Sequence, residues 1–140
     1  MLAYRTYQAA EPTSGWTRID LLLALYDKAL ERLDTALAAL GRGDAPAAVS
    51  QMAKTQLIVS ELASGVRVEV NPEANTNMLR LYEYVTHELT KPDPRHIGNA
   101  RKVLATLREG FEAIRAEANE LERSGQLAKA DNLQIVLTTA

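Results

Sequence analysis

The chain has 140 residues, of which 46% are hydrophobic and 24% charged, a size and composition that fit one globular domain and exclude wholesale disorder. With 16 Lys+Arg against 18 Asp+Glu, the net charge of -2 leaves no global positive field for a nucleic-acid backbone. The absence of cysteine excludes disulfides, thiolate metal sites and Cys nucleophiles together.

Residues 1–16 read as an arm outside the core, because Pro12 and Gly15 sit among scattered polar residues without a sustained period. Its notable residues are Tyr4, Tyr7 and Gln8. The opening Met1-Leu2-Ala3-Tyr4-Arg5 lacks the basic segment and apolar run of a signal peptide, and no stretch approaches the ~18 consecutive apolar residues of a membrane span. The expected location is the cytoplasm.

Residues 17–140 read as one helical domain. Ile19, Leu22, Leu23, Tyr26, Leu30, Leu33, Leu37 and Leu40 recur at three- and four-residue steps, which predicts a helix from Thr17 to Leu40 with Thr17 as N-cap and Gly41 as terminator. Asp44 caps a second helix, with Pro46 tolerated in its first turn and Val49, Met52, Gln56, Val59 and Ala63 along one stripe. It is expected to end near Ser64-Gly65. Val66-Arg67-Val68-Glu69-Val70 alternates like a strand but has nothing to pair with, so it is expected to be an extended connector.

A third helix is predicted over Glu73–Thr90 on Leu79, Tyr82, Val85 and Leu89. Asp93 and Pro94 then open a fourth, expected to run unbroken to Arg123 through Ile97, Ala100, Leu104, Leu107, Phe111, Ile114, Ala118 and Leu121. Gly110 inside it suggests close packing or a bend. The tail Gln126–Ala140 reads either as a short fifth helix or as a mobile hydrophobic segment. The fold class is therefore all-α, an antiparallel four-helix bundle with an N-terminal arm and a short fifth C-terminal helix in prospect.

Catalytic chemistry has no foothold in the pattern. The histidines, His87 and His96, lack metal-ligand spacing, and Gly41-Arg42-Gly43 lacks the Lys-Ser/Thr of a phosphate loop. Glu117, Glu120 and Glu122 lie on a helix rich in Arg and Glu, the usual setting of solvated ion pairs. No catalytic residue, metal or cofactor is expected. His87-Glu88-Leu89-Thr90-Lys91 echoes a histidine phosphotransfer signature and supports an alternative reading as a signalling module, although Pro92 ends the helix where such a module continues. An unrelated helical adaptor fits the periodicities equally well.

Taken in order, several segments resemble the flagellar secretion chaperone FliS family. They are Tyr4-Arg5-Thr6-Tyr7-Gln8, the helix Leu22-Leu23-Ala24-Leu25-Tyr26-Asp27-Lys28-Ala29-Leu30, the turn at Gly41-Arg42-Gly43-Asp44, Leu79-Arg80-Leu81-Tyr82-Glu83-Tyr84-Val85, and Leu107-Arg108-Glu109-Gly110-Phe111-Glu112-Ala113-Ile114. The resemblance implies a cytoplasmic, non-enzymatic protein that binds the disordered C-terminal segment of flagellin, prevents its premature polymerisation and assists its delivery to the type III export gate. It implies partner-binding roles for Tyr4, Tyr7, Gln8, Leu22, Tyr26, Asp27 and Tyr82, with the two helical tyrosines packing their rings and presenting hydroxyls near the client. Leu21 and Leu25, off the main stripe, are further contact candidates. The export gate and flagellar regulators are the other expected partners, nucleic acid and membrane insertion are not, and both monomer and homodimer stay open.

Overall fold

The reason the first four helices start where they do is visible in their first turns. In the computed structural model, which describes residues 15–125, α1 spans Arg18–Gly41, α2 Ala45–Ser64, α3 Pro72–Glu88, α4 Pro94–Ala113 and α5 Arg115–Arg123. Asp44, Asn71 and Asp93 each accept a hydrogen bond from the backbone N–H three residues on, at 3.1, 3.4 and 3.0 Å, which satisfies a donor the helix itself leaves orphaned. At the start of α1, Asp20 reaches back to the Thr17 N–H at 3.1 Å. The stop after α1 differs from expectation. Gly41 stays helical, and Gly43, at φ 78°, takes the left-handed position while Asp44 N–H bonds the Ala39 carbonyl at 2.8 Å and Gly43 N–H bonds Leu40 at 3.0 Å.

Around the bundle the order is α2, α1, α4, α3. α1 packs along both α2 and α4, α3 packs on α4, and the α2–α3 seam is the most sparsely packed of the four. The core holds Ile19, Tyr26, Leu33, Val59, Tyr82, Val85, Ile97, Leu104 and Phe111, each almost wholly buried. Burying such side chains is the main source of stability, at roughly 1.5–3 kcal/mol each. Among the described residues the structure is all-helical, and no described helix is long and apolar enough to cross a membrane.

Two elements depart from the sequence expectation. Residues 68–70 form a turn instead of continuing an extended connector, with Val70 N–H bonded to Arg67 C=O at 3.1 Å and the same carbonyl accepting from Asn75 Nδ2 at 2.7 Å. The predicted fourth helix is broken at Ile114, whose φ of -103° and ψ of 5° interrupt the ladder, so the short fifth helix is α5. The one anticipated in Gln126–Ala140 lies outside the described residues. Gly110 does not mark close packing, since a Cβ there would meet nothing within 4 Å. The break is explained by what α5 gains at the start of α1. Ala118 is buried, Asn119 pairs with the Thr17 hydroxyl, Arg115 bonds Asp20 at 2.9 Å, and Glu122 accepts from the Arg18 N–H at 3.2 Å.

Candidate functional site

The sparse seam opens into a groove. Gln56, Val59, Ser60 and Ala63 of α2 face Leu79, Tyr82, Glu83, Thr86 and His87 of α3, with Thr90 just past its end, around a volume of ≈ 520 Å³. Small and short side chains at Ser60, Ala63, Thr86 and Thr90 hold the walls without filling the space between them, unlike the close packing of the core. Val59 and Tyr82 form an almost wholly buried floor. Outside the groove, Leu57 on α2 is 69% exposed, and Val49 lies further along the same helix, also exposed. α2 carries only Lys54 and Glu61 as charges, so its outer side lacks the ionic coat of an ordinary solvated helix face.

Behind the floor, Tyr26 of α1 and Tyr82 of α3 meet across the diagonal of the bundle with their hydroxyl oxygens 2.6 Å apart, and Phe111 stacks at a tilt on Tyr26 at 5.5 Å. Burial pushes both phenols up, Tyr26 well above its ordinary range and Tyr82 to about 12. Both hydroxyls remain neutral partners of one another.

The end of α3 is fixed by a second polar cluster. The buried Glu88 carboxylate accepts from Asn99 Nδ2 at 2.8 Å and the Tyr84 hydroxyl at 3.1 Å, and it lies 2.9 Å from His96 Nδ1. The bond from Asn99, followed by that with His96, outweighs desolvation and holds the carboxyl at about 2. The cluster ties the last turn of α3 to the first turns of α4, directly behind the wall formed by Thr86 and His87.

The residues singled out in the sequence divide accordingly. Tyr4, Tyr7 and Gln8 lie outside the described residues. Leu22, Leu25, Tyr26 and Tyr82 join the hydrophobic core, while Leu21 is buried apart from that cluster. Of these, Tyr82 lines the groove. The hydroxyls of Tyr26 and Tyr82 face each other inside the core and not an outer rim. Asp27 is half exposed and forms a two-pronged ion pair with Arg108. His87 stands exposed on the last turn of α3, at the groove's edge. Among the described residues no three His, Cys, Asp or Glu side chains converge as a metal site would require.

The groove walls at Gln56, Ser60, Ala63, Thr86 and Thr90 were not anticipated as a site. The uncharged outer side of α2 was the signal available for them.

Fold and site together define an all-α bundle with an apolar interhelical groove. The sequence model of the family described as flagellar protein FliS matches residues 1–118, and the chain belongs to that family, which places it among flagellar export chaperones. The match ends inside α5. A search of the curated proteins gave no match.

Proposed function

We propose that this protein is a cytosolic export chaperone that binds the C-terminal segment of flagellin, keeps it from polymerising and assists its delivery to the flagellar type III export apparatus. In this reading residues 17–140 are the binding domain and residues 1–16 an arm attached to it. The observation that carries the reading is the apolar groove between α2 and α3, with Val59, Ala63, Leu79 and Tyr82 lining it. An amphipathic segment that folds on contact lays its apolar side chains into such a groove, which needs surface complementarity and no covalent chemistry. Part of the interaction energy offsets the ordering of the segment, so the contact is broad yet releasable.

Titration of the purified protein with a flagellin C-terminal peptide tests this directly. A stoichiometric complex at micromolar concentration is the expected result on calorimetry and gel filtration. Absence of any complex at that concentration would overturn the reading.

A further inference from the structure

One polar bond crosses the apolar groove. Gln56 Nε2 of α2 donates to the Thr86 carbonyl of α3 at 3.1 Å, and both residues line the groove over its Val59–Tyr82 floor. The carbonyl is available because α3 tightens as it ends. Leu89 N–H still bonds Val85 four residues back, at 3.0 Å, but Thr90 N–H bonds His87 at 3.1 Å instead of Thr86. The Thr90 hydroxyl goes to His87 as well, at 2.7 Å. Thr86 therefore has lost its α-helical donor, and the side-chain amide of Gln56 supplies the replacement.

We infer that the Thr86 carbonyl is the polar recognition point of the groove, and that Gln56 occupies it until an incoming helix brings a hydrogen-bond donor of its own. The inference rests on the reading of the groove as a client site. It also narrows the client. The bond is open to solvent in the free protein; a helix seated over Val59 and Tyr82 displaces the Gln56 strap and shuts water out, and a carbonyl then left without any donor is unfavourable. The fitting occupant therefore carries an amide, hydroxyl or cationic side chain among its apolar contacts, at the position that meets Thr86. A carboxylate there is rejected twice, by the carbonyl and by Glu83, one turn earlier on the same wall. The negative pole at the C-terminal end of α3 adds to that preference.

Stopped-flow association of a labelled flagellin C-terminal peptide with the wild-type protein and with Gln56→Ala tests the inference. Removing a strap that must open should speed association about two- to tenfold, the equivalent of one ordinary net hydrogen bond, with dissociation unchanged. Unchanged or slower association, or faster dissociation, would show that Gln56 is not displaced. The second readout needs no variant. The side-chain amide proton signals of Gln56 in the wild-type protein should shift and exchange faster with solvent when peptide saturates the groove, and signals that stay in place would overturn the inference. Failure of the wild-type protein to bind the peptide at all would instead defeat the proposed function. Thermal unfolding of Gln56→Ala by circular dichroism checks that the bundle is intact.

Discussion

Asp27 of α1 and Arg108 of α4 pair Nε to Oδ1 and Nη2 to Oδ2, and they are the middle rung of a regular ladder. Asp34 pairs with Arg101 at 2.6 and 3.2 Å on one side, and Asp20 with Arg115 at 2.9 Å on the other. The acids and the arginines each recur two turns apart, in opposite directions, so the three rungs form together only in one antiparallel register. Shifting α1 by a turn would break all three, and shifting α4 would break the Asp27–Arg108 and Asp34–Arg101 rungs, the third arginine standing at the start of α5. Because Asp27 is more than half exposed, the rung contributes only about 0.5 kcal/mol, and Asp27→Ala should lower stability by that amount in urea unfolding. Asp27→Arg, which sets two guanidiniums face to face, should cost more. The swap Asp27→Arg with Arg108→Asp should regain most of the loss, and the coupling should shrink in 1 M salt.

The Tyr26–Tyr82 pair behaves differently because nothing screens it. Tyr82→Phe leaves the Tyr26 hydroxyl buried without a partner, an arrangement that costs roughly 1–3 kcal/mol. Replacing both by Phe removes the orphan and should return stability close to the starting value. A double variant no better than Tyr82→Phe alone would show that the hydroxyls have partners other than each other. The pair also sets an alkaline limit. Folded pKa values raised by burial mean that this stabilisation is complete below pH 10 and is lost as pH rises through about 12. Absorbance of tyrosinate should therefore appear for these two residues only together with unfolding.

At the other end of the scale stands Glu88. Its folded value of about 2 lies below the ordinary 4.5, so its bonds to Asn99, His96 and Tyr84 contribute fully above pH 4.5 and fade as pH falls toward 2. Acid unfolding of Glu88→Gln should accordingly show a weaker dependence on pH between those values than the parent. Equal slopes would mean that other carboxylates dominate there.

Much of this architecture was readable in the chain because caps and periodicity are local. Asp44 and Asp93 act where expected, and the Thr17, Asp44 and Pro94 boundaries hold within a residue or so. The break at Ile114 was not readable, because the groups that favour it, Thr17, Arg18 and Asp20, lie about a hundred residues away in sequence. Periodicity shows that Leu22 and Leu25 are apolar but not which neighbour covers them, and the packing of the bundle buries both. The groove escaped for the same reason. It follows from how sparsely α2 meets α3, which is a property of two helices and not of either stripe. The ladder was within reach, since Asp20, Asp27 and Asp34 and then Arg101, Arg108 and Arg115 repeat every seven residues.

The groove can be tested by filling it. Ser60 is exposed on the α2 wall between Val59 and Ala63, where an indole would project into the open space without entering the core. Ser60→Trp should leave the thermal midpoint nearly unchanged, because no buried contact is removed. If the flagellin segment lies between α2 and α3, the same change should weaken peptide binding by about tenfold or more, equivalent to at least ~1.4 kcal/mol. Thr106→Trp, on the exposed side of α4, serves as the control for adding an indole to the surface and should bind as the parent does. Equal affinities for the two Trp variants would place the client on another face of the bundle, whereas weakening confined to Ser60→Trp locates it in the groove.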